Sequence, residues 1–195
     1  MACITSRAWK ASSALARSAR KAGKNQVAIQ KLQAAIDVLQ RSGAKSLVSF
    51  LPPSMPGWKA GEPKTVTGNW GAGAQAFQWT QVSRTYTRDE DGLRVNVQFT
   101  NSPQLIQGQR QMAAMFANEQ YVKMMNNDPN KEIRVFKKVG WTGWTILEKG
   151  RKANGVALSE DVMVTLDVSQ DKEEVFAKFW KGVDFDGILA SGSGK

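Results

Sequence analysis

Three prolines within five residues, Pro52, Pro53 and Pro56, divide this 195-residue chain into two parts that follow different rules. Proline lacks a backbone N–H and fixes φ, so neither a helix nor a central strand runs through Leu51-Pro52-Pro53-Ser54-Met55-Pro56-Gly57-Trp58. Upstream, from Ser6 to about Ser42, there is no proline, and Ala, Leu, Gln, Lys and Arg dominate, all good helix formers. Downstream, apolar residues fall into period-two runs punctuated by Gly, Asn and Asp, the pattern of strands and turns. The expected organisation is a basic amphipathic helical arm over residues 1–46 and a Pro/Gly/Trp linker and lead-in loop over 47–75. A body over 76–190 and a flexible tail over 191–195 complete it.

Charge divides in nearly the same place. Of 27 Lys and Arg and 17 Asp and Glu, the first 46 residues hold nine and one, so +8 of the net +10 sits in the arm. Such asymmetry points to an anionic partner for the arm rather than for the whole chain. Lys10, Arg17, Lys24 and Lys31 recur every seven residues, and on a continuous helix they stack with only ~20° of drift per heptad. Arg7 and Arg20 join the same face, and Gly23 is a candidate break in the helix. Further on, Ile29, Leu32, Ile36 and Leu39 recur at 3-4-3 spacing and form one apolar stripe, widened by Val27, Ala28 and Ala35. That stripe has two competing uses, packing on the body and docking on a partner helix. The basic face has several: neutralising nucleic-acid phosphates, meeting an anionic membrane at ~1 kcal/mol per residue, targeting, or plain solvation.

In the body, Phe77 to Arg88 reads as a long strand, Asp89-Glu90-Asp91-Gly92 as a turn, and Leu93, Val95, Val97 and Phe99 as the buried positions of an antiparallel partner. Ser102-Pro103 carries N-cap and N1 chemistry for a helix with Leu105, Met112 and Phe116 on its inner side. Ile133 to Lys137, Gly143 to Glu148, and the run Val162, Val164, Leu166, Val168 give three more strands. Between the last two, Gly150 to Glu160 reads as a turn-rich connection centred on Asn154-Gly155. Asp171 is placed to cap a closing helix whose apolar face is Val175, Phe176, Phe179 and Trp180. The fold class is therefore α+β: a basic N-terminal helical arm, then an antiparallel sheet of about five strands packed with two helices. The Pro56-Gly57-Trp58 lead-in and this element order over about residues 50–190 resemble, at fold level, the Mog1/PsbP-like domains. The resemblance implies an architecture and no functional residue.

What is missing narrows the chemistry. The sequence has no histidine, which removes Ser-His-Asp and Cys-His nucleophiles, His acid/base work and His-ligated zinc or haem. GxGxxG, GxxxxGK[ST] and GxSxG strings are also missing. A single cysteine, Cys3, rules out a disulfide within the chain and a thiolate cluster. Asp89 to Gly92 and Asp184 to Gly187 share an Asp-x-Asp-Gly form but lack the remaining ligands of an EF-hand loop, so they read as turns. Neither an 18-residue apolar run nor a signal-type apolar core occurs. The chain reads as soluble with its localisation open, a targeting peptide or a truncated lipoprotein signal around Ala2-Cys3 being candidates.

These features predict no catalytic residue, metal or cofactor. They predict a binding or scaffold protein working through protein–protein contacts, with another protein or a second copy docking on Ile29, Leu32, Ile36 and Leu39. The alternative is an anion-surface binder holding nucleic acid or an anionic membrane through Arg7, Lys10, Arg17, Arg20, Lys24 and Lys31. Two aromatics in the body, Trp141 and Trp144, are three apart and face opposite ways on a strand. Strand geometry alone puts at most one in the core and makes an exposed one a candidate contact, while core or loop-anchor duty for both is the favoured alternative. Met112, Met115, Met124 and Met125, with Phe116 and Tyr121, are expected to form an adaptable groove or to fill gaps in the core.

Overall fold

The computed structural model of the chain describes residues 2–70, 77–170 and 172–192. It divides into two compact units, Met1–Ser46 and Leu47–Lys195. In the first, helix α1 (Ala2–Lys21) is followed after three residues by α2, which runs from Asn25 to Ser49. Gly23 makes the break the sequence suggests. Its φ of 71° is left-handed. Gly23 N–H bonds Arg20 C=O at 3.0 Å and Lys24 N–H bonds Ala19 C=O at 2.9 Å. Those two bonds close the helix end in a Schellman arrangement that only glycine enters without strain.

The second unit is built on one antiparallel sheet of eight strands, not about five, and it carries four helices among the described residues, not two. The strands are β1 (Trp58–Ala60), β2 (Lys64–Trp70), β3 (Phe77–Arg88), β4 (Arg94–Thr100), β5 (Lys131–Lys138), β6 (Trp141–Glu148), β7 (Lys152–Leu158) and β8 (Met163–Val168). Their spatial order is β1-β3-β4-β8-β7-β6-β5, with β2 also pairing β3. Helices α3 (Pro103–Phe116) and α4 (Glu119–Met125) lie between β4 and β5 in sequence. Helices α5 (Glu173–Lys181) and α6 (Phe185–Gly192) close the chain.

Three strands escaped the sequence reading, each for a physical reason. Strands β1 and β2 fall in the segment taken as linker and lead-in. The register slips between Ala60↔Tyr86 and Lys64↔Ser83, leaving three residues opposite two, a bulge that accommodates Pro63 on the sheet edge. Strand β7 occupies the stretch taken as a turn. Asn154 lies inside it, its Nδ2 donating to Asp167 Oδ1. Gly155 is there because an added Cβ would lie 2.4 Å from the Phe176 ring. The turns fall instead at Gly150, with φ 71°, and at Ser159, whose Oγ and N–H both bond Val162.

Strand alternation sorts side chains onto two faces. On one, the buried Tyr86, Val95, Val97, Phe99, Val164, Leu166 and Val168 meet Val175, Phe176 and Phe179 of α5. Phe179 is fully buried and touches Trp58 and Tyr86, ring centroids 4.8 and 4.9 Å away. Tyr86 Oη donates to Pro52 C=O at 2.5 Å, tying the proline segment down. On the other face, Ile106 and Phe116 of α3 cover Ile133, Trp144, Val156, Leu158 and Met163. Leu105, Met112 and Met115 were expected inward on α3 or in a core, but they are 46, 38 and 45% exposed. The sheet contact follows the line from Ile106 to Phe116 instead. Ser102 stands at the N-cap with Pro103 after it, yet no side-chain cap bond forms; α5 is preceded by Lys172, and Asp171 lies outside the described residues.

Candidate binding surfaces

The helical unit carries the residues the sequence singled out. Its buried positions, among those described, are alanines: Ala16, Ala28 and Ala35. Ile29 and Leu32 flank the two α2 alanines but stay 61 and 49% exposed, with Val27 at 40% and Leu15 on α1 at 54%. The side chains of Ile36, Leu39 and Arg7 lie outside the described residues. Lys10, Arg17, Arg20, Lys24 and Lys31 are all exposed, and no ion pair holds them among the described residues. This surface therefore combines uncovered aliphatic area with solvated cations. It can bind by apolar burial and by charge.

The tryptophans are different. Trp144 and Trp141 are each 2% exposed. Trp144 sits on the α3 face with its ring 5.3 Å from Phe116, and Trp141 sits on the opposite face, 5.1 Å from Phe185. They do face opposite ways, but helices cover both faces of β6, so both are buried. A contact role needs exposure, and neither side chain has it. Gly143 between them leaves room for Phe136, whose ring would be 2.4 Å from an added Cβ.

A polar groove of about 740 Å³ crosses the sheet face that carries Trp144, at the ends of β6, β7 and β8 away from the residues that α3 covers. One cross-strand row places Thr85, Asn96, Asp167 and Asn154 side by side. Arg94, Glu148, Arg151 and Lys152 rim it. The sequence reading passed over these residues because a polar face is what period-two strands produce by default. Thr85 Oγ1 donates to Asn96 Oδ1 at 3.4 Å, and Asn154 donates to Asp167, so part of the row's polar capacity is spent on tying strands together.

Both Asp-x-Asp-Gly segments are turns with local work. Asp91 takes two bonds from Arg88, at 2.9 and 2.5 Å, and one from Leu93 N–H at 3.1 Å. Asp184 accepts from Gly187 N–H at 2.9 Å at the start of α6. Among the described residues no three His, Cys, Asp or Glu side chains converge as a metal site would need. No helix there is long and apolar enough to cross a membrane. Compared with known proteins, the chain matches no family model, no curated protein and no solved structure. None of these comparisons supports the resemblance to Mog1/PsbP-like domains, and the observed element order has three more strands than the one it rested on.

Proposed function

We propose that this chain is a non-catalytic binding protein whose N-terminal helical unit docks on another protein. The observation that carries the reading is the exposure of Ile29 and Leu32, 61 and 49%, beside buried Ala28 and Ala35. A stripe with alanines inside and larger aliphatics left in water gains only when a second surface covers it; fully burying one such side chain contributes about 1.5–3 kcal/mol. The cations around it, Lys10, Arg17, Arg20, Lys24 and Lys31, match an acidic partner surface with an apolar centre. Replacing both aliphatics in the full chain, Ile29→Glu with Leu32→Glu, should weaken the complex about 100-fold. Sedimentation of the chain in extracts of its own cells reads this directly. A chain that sediments alone, or a complex indifferent to the double substitution, overturns the proposal.

The second reading, an anion-surface binder, is favoured by the same exposed cations. It separates by salt: attraction to nucleic acid falls steeply with ionic strength, whereas apolar docking does not. Titration with duplex DNA and with phosphatidylserine vesicles at two salt concentrations decides it. Loss of binding in Arg17→Glu/Lys24→Glu but not in Ile29→Glu/Leu32→Glu would support it.

A further inference from the structure

Strand β5 lies at the end of the sheet, and its free edge is only partly closed. Ile133 N–H donates to Asn126 Oδ1 at 2.7 Å, and Ile133 C=O accepts from Asn126 Nδ2 at 3.0 Å. The peptide groups of Ile133 therefore point away from β6, and a side-chain amide does there what another strand would do. Strand alternation turns those of Val135 and Lys137 the same way. Asn126 does not extend to them, and no other side chain or loop bonds them among the described residues. Two N–H and two C=O groups remain open on an extended backbone, a ready template for a further strand.

The surroundings say what such a strand would be. A crevice of about 440 Å³ lies between α4 and β5, walled by Phe116, Val122, Lys123, Val135 and Lys137, with Glu119 its one acidic side chain. A second, of about 400 Å³, opens on the opposite face beside Phe136, Trp180 and Phe185. An added strand sends alternate side chains to opposite faces, so each crevice meets every second residue. Arg134 is held by Glu132 and Glu173, and Lys138 by Asp186. Lys123, Lys131 and Lys137 have no ion pair among the described residues. A second copy of β5 would set these cations against their own kind, whereas acidic side chains would neutralise them.

We propose that the β5 edge is a strand-addition site for an extended acidic peptide segment of another protein, hydrogen-bonded to Val135 and Lys137, with an apolar side chain in the α4 crevice. The site is independent of the helical unit. The probe is a set of ten-residue peptides whose alternate positions on the α4 side carry Asp or Glu around one central Val, Ile, Leu, Phe or Tyr, with Thr or Val at the positions between. Binding to the full chain is read by NMR amide exchange. At least one member should bind below about 1 mM and slow exchange at Val135 and Lys137 about ten-fold or more. Val135→Pro deletes an outward N–H and leaves the β5–β6 bonds intact, and should weaken binding about ten-fold. Lys123→Glu/Lys137→Glu should do the same, and it carries the test if the proline variant unfolds. The proposal is overturned if no member binds, if binding leaves the two amides unprotected, or if the chain alone protects them as its concentration rises. That last outcome would assign the edge to a second copy.

Discussion

The helical unit and the sheet unit bury their apolar residues in opposite ways. In the sheet unit the largest side chains are the deepest, with Trp144, Tyr86, Phe99 and Phe179 essentially inaccessible. Its glycines stand where those rings need room, Gly143 against Phe136 and Gly155 against Phe176. In the helical unit the buried positions among those described are alanines, and Ile29 and Leu32 face water. The sheet unit buries its largest rings on itself, while Leu105, Met112, Met115 and Met124 on its helices stay partly in water. The helical unit has no comparable buried ring among its described residues, and its exposed aliphatics are what the proposed docking rests on.

The comparison can be broken from the scaffold side first. Phe179→Ala removes a ring that bridges Trp58, Tyr86 and the sheet, and urea unfolding should show a loss of about 4 kcal/mol. Gly143→Ala should cost about 3 kcal/mol, because the new Cβ would lie 2.2 Å from Val156 C=O, a backbone atom that cannot yield cheaply. Tyr86→Phe leaves Pro52 C=O without its donor and should cost about 1 kcal/mol, visible as a lower Tm.

A smaller effect depends on pH. The Arg88 guanidinium, which also lies 5.6 Å from the Trp58 ring centroid, holds the Asp91 carboxyl well below its ordinary pKa of 3.8. A depressed folded-state pKa stabilises the fold above that value, and the contribution is lost as pH falls through the lower one. Asp91→Asn should therefore unfold more readily than the wild type at neutral pH. The gap should close as the solution is acidified below 3.8. Urea midpoints across that range check the sign.

Much of this architecture was legible in the chain. The alternation from Leu93 to Phe99, the long strand from Phe77 to Arg88 and the Ser102-Pro103 helix start are local signals, and each became the expected element. Where reading failed, distant residues decided. Asn154-Gly155 looks like a hairpin centre until Phe176, 21 residues on, takes the space a side chain would need. Residues 47–75 look like linker because nothing local reveals that the short runs Trp58–Ala60 and Lys64–Trp70 pair with the far side of β3. Trp141 and Trp144 were placed on opposite faces, yet the sequence gives no sign that α6 would cover the second face. The proposed docking surface was half legible: the stripe and the basic row are periodic, but exposure is a property of the folded chain. The open β5 edge was not legible at all, since it depends on which strand ends the sheet.

The central claim is that Ile29 and Leu32 are not core in the free chain. Equilibrium urea unfolding of the full chain carrying Ile29→Glu and Leu32→Glu tests it most directly. Stability within about 0.5 kcal/mol of the wild type is the expected result, as for exposed surface positions. A loss of about 3 kcal/mol or more would show that the stripe is packed core and would contradict the account.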